Sequence, residues 1–352
     1  MRTRSPLAFA LVIRAIYELD PPEAAETLAL IESVGRADGP EQVRGTVVAQ
    51  ADGRAVLEFP EQNWGGDVTL LVSSLLAGEW ADSAAFVRCR LVELELPAGL
   101  LPGPAFAAPD EVLVGAIVKP SLGLSPKEVA STAAALAAGG ADLVKDDELL
   151  GDPAWCPLEE RVRAVAAVLP DGVRYAANVT GPVESLLQRA NRVVELGAGA
   201  VMVNAFAQGL DSLRGLREAQ LGVPIFAHRV GAALWVRGSA LGVAPHVLAG
   251  LTRLCGADFV QVGSFTGSVY DIAEDVHAQI DACQRDLGVA RSVAVLGGGV
   301  GPRNAAEQVR AAGIASGLMV LLGSAAYEGG SPEEAVRATV ESVRPNNVAE
   351  SA

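Results

Sequence analysis

Aromatic residues make up only 5% of this chain, and positive charge is in deficit, with 27 lysines and arginines against 42 aspartates and glutamates. The formal net charge of −15 at pH 7 excludes nucleic acid and anionic membrane as natural partners, because both call for a basic surface. The four cysteines, Cys89, Cys156, Cys255 and Cys283, form no C-x-x-C pair and read as reduced, buried thiols of a cytoplasmic protein. No apolar run approaches the length that spans a bilayer. The apolar patch in residues 1–17 is interrupted by Arg14 and has no small-residue cleavage site after it, so it reads as a first strand and not as a signal peptide. A dinucleotide-type glycine fingerprint is also missing after the first run of the alternating region, which argues against an open doubly wound sheet.

What is present is a chain that is half hydrophobic, rich in alanine, valine, leucine and glycine, as suits helices packed closely on a parallel sheet. From residue 112 one unit recurs: a short apolar run, a polar or glycine-containing turn, then a segment of helical period. The apolar runs are 114–119, 141–145, 174–178, 200–204, 224–228, 258–262, 292–296 and 317–322. Helical segments fall between and after them, among them 126–138 and 332–343, each preceded by a serine suited to cap it, Ser125 and Ser331. Eight such units predict a (β/α)8 barrel over residues 101–352. Ahead of it, strand-like runs at 9–17, 42–50, 67–73 and 85–96 and a helical segment at 22–33 predict a small α+β domain over residues 1–100, with a linker at about 97–111, rich in proline, glycine and alanine.

The chemistry concentrates where the barrel strands end. Lys145 stands directly before Asp146, Asp147 and Glu148, at the end of a buried run. Side chains alternate along a strand, so Lys145 and Asp147 share a side, and Glu148 joins them only where the pleat relaxes. Two carboxylates with waters and substrate oxygens suit Mg²⁺. A protonated lysine repels the ion; it belongs among the ligands only when neutralised, or converted by CO₂ to an anionic carbamate. Lys119, Asn178, Asn204 and the pair His228-Arg229 mark the ends of the first, third, fourth and fifth runs. Burying Lys119 is unfavourable unless the amine is paired or used. The seventh and eighth runs end in Gly297-Gly298-Gly299 and Gly323-Ser324, the position of a phosphate cradle in such barrels, and Arg229 is a second anion anchor. Tyr327 sits near the same rim.

The ordered motifs Ile117-Val118-Lys119-Pro120-Ser121-Leu122-Gly123, Lys145-Asp146-Asp147-Glu148, Pro157-Leu158-Glu159-Glu160-Arg161-Val162 and His228-Arg229 together resemble the RuBisCO large-chain superfamily. That resemblance implies Mg²⁺ held by a carbamylated Lys145 with Asp147 and Glu148, proton transfer near Lys119, contacts from His228 and Arg229 to substrate and its distal phosphate, and the other phosphate on Gly298, Gly299 and Gly323. It implies a homodimer or an oligomer of dimers, in which Glu32 completes the partner's site. Departures from the carboxylase pattern are Ser121 for a second lysine, Gln261 for a histidine, and a position near Ser268 without the mobile-loop lysine; the Thr-Trp expected after Glu32-Ser33 is missing around Arg36 and Ala37. The chain therefore resembles a RuBisCO-like protein of the form IV type. The implied activity is Mg²⁺-assisted enolisation of a phosphorylated keto-sugar or keto-sugar-acid, with Lys119, His228 and the Lys145 carbamate as candidate bases. The competing readings are an enolase of methionine salvage acting on 2,3-diketo-5-methylthiopentyl-1-phosphate, a true carboxylase, a catalytically silent regulatory homologue, and an unrelated barrel aldolase.

Overall fold

The computed structural model describes residues 11–266 and 271–344. Its strands, in chain order, are β1 (Val12–Asp20), β2 (Thr46–Ala51), β3 (Arg54–Pro60), β4 (Arg88–Glu95), β5 (Leu113–Ile117), β6 (Leu143–Lys145), β7 (Arg174–Asn178), β8 (Ala200–Asn204), β9 (Ile225–His228), β10 (Leu241–Val243), β11 (Phe259–Gly263), β12 (Val293–Gly297) and β13 (Leu318–Leu322). The chain divides into two compact units, residues 1–101 with 232–248, and residues 102–231 with 249–352. A single cut at residue 100 therefore misplaces 232–248, and the reason is local. Leu241–Val243 pairs in parallel with β4 and forms the edge of the first unit's sheet.

That first sheet has the order β10-β4-β1-β3-β2. Strict alternation along β1 and β3 turns Ile13, Ala15, Tyr17, Leu57 and Phe59 to the buried face, where Leu28 and Ala29 of the helix Ala25–Ile31 are also buried. One expectation fails here, and one strand stands outside those expected. Residues 67–73 begin a helix, Val68–Leu71, because the Asp67 carboxylate accepts the Leu70 N–H and caps it. β3 was unforeseen, although Asp52 and Gly53, both at positive φ, make the tight turn that pairs it with β2.

Glu32 also lies in the first unit. It is 6% exposed, and its Oε1 accepts the Trp80 N–H at 3.0 Å. Burial, against the pull of that hydrogen bond, raises its carboxyl to about 7. The folded state then holds a proton that the unfolded chain has released, so stability falls as pH rises from about 4.5 to about 7 and is flat above. Glu32→Gln removes this dependence. Urea unfolding at pH 5 and pH 8 is expected to show the native protein losing about 1–3 kcal/mol relative to the variant across that interval; parallel curves would refute the buried, proton-holding carboxyl.

The second unit is a closed parallel barrel, ordered β5-β6-β7-β8-β9-β11-β12-β13 and back to β5. The helix Pro126–Ala138 shows why the βα units form: Ser125 and Glu128 make a reciprocal capping box, and Pro126 occupies the first turn, where its missing N–H is not needed. Inside the barrel, Leu143, Ala176, Met202, Phe226, Phe259 and Val295 pack as one cluster with Ile117 and Leu321.

Candidate active site

The pleat turns that cluster into a map of the barrel's mouth. Two residues beyond each core side chain the same face reappears at the carboxyl end. Ile117 leads to Lys119, Leu143 to Lys145, Ala176 to Asn178, Met202 to Asn204, Phe226 to His228, Phe259 to Gln261, Val295 to Gly297 and Leu321 to Gly323. Eight strands thus present two lysines, two asparagines, a histidine, a glutamine and two glycines around one rim. The residue between Lys145 and Asp147 has the opposite orientation. Asp146 is wholly buried and accepts hydrogen bonds from Arg161 Nη2 at 3.1 Å, the Asn178 N–H at 2.9 Å and the Tyr175 hydroxyl. It anchors β6 and takes no part in the mouth.

Lys119 Nζ lies 2.6 Å from Asp147 Oδ2 and 3.0 Å from Ser121 Oγ. Burial pushes the Asp147 carboxyl up, but hydrogen bonds from Lys119 and the Leu149 N–H, with the charge of Lys119, outweigh it and hold the group below its usual value. Lys145 is 0% exposed, 5.9 Å above the Phe226 ring, and donates to the Asp146 carbonyl at 2.6 Å. Burial brings its amine down to about 8 although Glu148, Asp147 and Asp146 all favour the charge. His228 is 6% exposed, and burial, reinforced by the cations Lys145, Arg229 and Lys119, drives its imidazole well below the ordinary histidine value. It is therefore neutral. Its Nδ1 accepts the Val230 N–H at 3.2 Å, which assigns the ring proton to Nε2, 3.5 Å from Glu148 Oε2.

Asn178 donates its amide to the Glu148 carbonyl at 3.2 Å and the Asp147 carbonyl at 3.4 Å, and its Oδ1 accepts the Thr180 N–H. Asn204 Nδ2 donates to the same Glu148 carbonyl at 2.9 Å. The two amides fix the backbone that carries both carboxylates. Buried polar atoms without a partner among the described residues include Asn204 Oδ1, Arg229 Nη1 and Gln261 Oε1. Unpaired buried polar atoms are unfavourable, and three beside one rim mark a place where a ligand supplies the missing bonds. No group of three or more His, Cys, Asp or Glu among the described residues forms a metal position. The donor set fits Mg²⁺ only through Lys145: two carboxylates and the open Asn204 oxygen supply hard ligands, and a buried amine brought to about 8 is the lysine most ready to react with CO₂.

On the opposite side, Gly298 and Gly299 follow β12 at positive φ, and Gly323 precedes the short 3₁₀ turn Ser324–Tyr327. Ser264 Oγ donates to the Gly298 carbonyl at 2.9 Å and Asn304 Nδ2 to the Gly299 carbonyl at 3.0 Å. A trans peptide directs its C=O and following N–H oppositely, so these bonds also set the direction of the next two N–H groups. A cavity of ≈ 220 Å³ opens between these loops, with Gly299, Asn304 and Ala325 in its wall. Tyr327 holds the first strand's end, donating to the Ile117 carbonyl at 2.9 Å and accepting the Lys119 N–H at 3.0 Å. Sequence reasoning assigned no role to Ser264, Asp271 or Arg161. Of these only Arg161 stands in a motif singled out beforehand. Ser268 lies outside the described residues. Glu32 is held among residues of the first unit.

Among known families, the model of the ribulose bisphosphate carboxylase large chain, catalytic domain, matches residues 102–293, more than half of the chain. An uncharacterised ribulose bisphosphate carboxylase-like protein of Bordetella bronchiseptica is 31% identical, covering 73% of this chain and 65% of that protein. A 2,3-diketo-5-methylthiopentyl-1-phosphate enolase of Geobacillus thermodenitrificans is 35% identical, over 76% and 67%. A 3-oxo-isoapionate-4-phosphate transcarboxylase/hydrolase of Xanthobacter autotrophicus is 32% identical, over 74% and 69%. The chain thus spans about two thirds of the length of these curated relatives. Among solved structures, an octameric ribulose-1,5-bisphosphate carboxylase/oxygenase of Pyrococcus horikoshii superposes with a TM-score of 0.86 at 26% identity, covering 95% of this chain and 89% of that one. Among the described residues, no helix is long and apolar enough to cross a membrane.

Proposed function

The chain belongs to the ribulose bisphosphate carboxylase large-chain family, and we propose that within it the protein enolises a phosphorylated keto-sugar or keto-sugar-acid and does not fix CO₂. One observation carries this reading: Lys145 is wholly buried at the end of β6, its amine brought to about 8, with Asp147 and Glu148 following it. Lys145 as a carbamate would hold Mg²⁺ together with Asp147 and Glu148. When bound, the ion lowers the pKa of a C–H beside a carbonyl by stabilising negative charge on that oxygen. The chain's own residues then divide the work. Neutral His228, with its proton on Nε2, is suited to donate to a substrate oxygen and unsuited to begin as the base. Lys119 is the first candidate to move the proton; Nζ, ion-paired with Asp147, can deliver a proton as it stands, and can accept one only after giving its own up. Ser121, where carboxylases of this family carry a second lysine, serves as an acceptor for Lys119 Nζ at 3.0 Å.

Two relatives named above act on compounds with this shared chemistry, a ketone beside an acidic C–H and one phosphate, which supports the substrate class without choosing its member. The octameric relative supports a homo-oligomer for this chain as well, with the dimer as its unit; Glu32, 6% exposed and held by the Trp80 N–H, does not present its carboxyl to a neighbouring subunit. The test is a proton-exchange screen. Keto-sugar and keto-sugar-acid phosphates are incubated with the protein in D₂O with Mg²⁺ and bicarbonate, and C–H signals are followed by NMR. Exchange is expected with at least one of them, and Lys119→Met is expected to slow it about 10²–10⁴-fold. Formation of 3-phosphoglycerate from ribulose bisphosphate and CO₂ would overturn the reading.

A further inference from the structure

The anion anchor on β9 is already paired. Arg229 Nη2 donates to Asp271 Oδ1 at 2.7 Å, with the two side chains 20% and 6% exposed, while Arg229 Nη1 is buried and has no partner among the described residues. The pair lies against bare backbone. Gly263 has a φ of +97°, and a Cβ there would stand 2.1 Å from Asp271 Oδ2 and 2.3 Å from Arg229 Nη1, so glycine is what lets this ion pair occupy the end of β11. Asp271 also accepts the Ser264 N–H at 3.4 Å. Further down the same strand Gln261 Oε1 is buried and unpaired.

From this geometry we propose that Asp271 is a specificity-determining residue: it cancels the charge of Arg229, so that this end of the mouth refuses a phosphate and receives an uncharged or singly charged polar group. The inference rests on the reading of the mouth as a seat for a phosphorylated keto compound, and it says that the phosphate has one seat, at the glycine turns. A dianion approaching Nη1 meets the Asp271 carboxylate across the same guanidinium, a like-charge juxtaposition that weakens binding. Among the described residues, the rim position on the adjoining strand β11 is an amide, Gln261, and brings no second cation to the pair. An open N–H donor and an open amide oxygen instead match a hydroxyl, which accepts from one and donates to the other.

Titration calorimetry with ribulose 1,5-bisphosphate and ribulose 5-phosphate, at low and high salt, tests this. In the native protein the second phosphate is expected to change affinity by less than about threefold. Asp271→Asn keeps the shape of the pair and removes its negative charge; it should tighten the bisphosphate about tenfold and leave the monophosphate within about twofold. Asp271→Ser guards against a folding defect in the first variant. Adding Arg229→Gln to either should cancel the gain, and salt should shrink it. A native protein that prefers the bisphosphate by more than about tenfold, or an unchanged ratio in the Asp271 variants, would overturn the proposal while leaving enolisation intact. Absence of binding by either sugar phosphate to any variant would overturn the role given to Asp271, while enolisation stands or falls by the exchange screen.

Discussion

Replacing Lys145 by methionine is expected to lower Mg²⁺-dependent C–H exchange by a factor on the order of 10³ or more, and to remove its response to bicarbonate, while the far-UV spectrum and barrel stability are retained. Methionine preserves the length of a side chain that lies above Phe226 and is 0% exposed, so the loss reports chemistry and not a cavity. The native protein should show a particular pH profile. Carbamate formation takes the uncharged amine, and with Lys145 at about 8 roughly a tenth of it is uncharged at pH 7 and about nine tenths at pH 9. Activation by bicarbonate therefore rises with pH over that interval, the direction set by burial lowering the amine. An exchange rate unchanged in the variant, or activation that falls between pH 7 and 9, would sink the carbamate ligand. Mass spectrometry of the intact protein under CO₂, with the variant as control, separates a missing carbamate from a missing substrate.

The rim was legible in the sequence because each strand carries its core residue and its rim residue two positions apart. Leu143 with Lys145 and Phe226 with His228 are such pairs, and an apolar run that ends in a lysine or a histidine announces itself without a structure. Other elements of the site had no such local signature. Asp271 acts on Arg229 from 42 positions away, across the pairing of β9 with β11, and Tyr327 on Lys119 from 208, across the pairing of β13 with β5. Segment 67–73 departs from the strand expectation for the opposite reason: its valines and leucines suit a strand, and a single capping carboxylate, Asp67, decides for a helix. Residues 232–248 lie between two barrel strands in the sequence, yet their pairing partner, β4, is some 150 residues earlier; composition does not encode that choice. Asp146 illustrates a subtler limit. In the sequence it stands among the carboxylates of Lys145-Asp146-Asp147-Glu148, and only strand parity sets it apart as the one that faces away.

That parity leads to the largest stability effect expected in the molecule. Arg161→Met is expected to destabilise the barrel by about 3–5 kcal/mol, because it removes one partner of a buried ion pair and leaves the other charged. Arg161 and Asp146 are both 0% exposed at 3.1 Å, and Arg161 also donates to the carbonyls of Gly151 and Cys156, each at 2.9 Å. After the substitution Asp146 keeps only the Asn178 N–H and the Tyr175 hydroxyl, too little to hold a full charge without solvent. Left without its cation in a site closed to water, the stranded carboxylate disfavours the folded state of the variant. A second substitution, Asp146→Asn, should recover part of the loss at neutral pH, since it removes the stranded charge and keeps an oxygen for the Tyr175 hydroxyl. Urea unfolding of the three proteins at pH 5 and pH 8 decides the matter. A loss below about 1 kcal/mol for Arg161→Met would show that this arginine behaves as a surface pair does. A loss that is restored by Asp146→Asn would place the anchor of β6, and with it the position of Lys145 and Asp147, on a charge that never reaches the mouth.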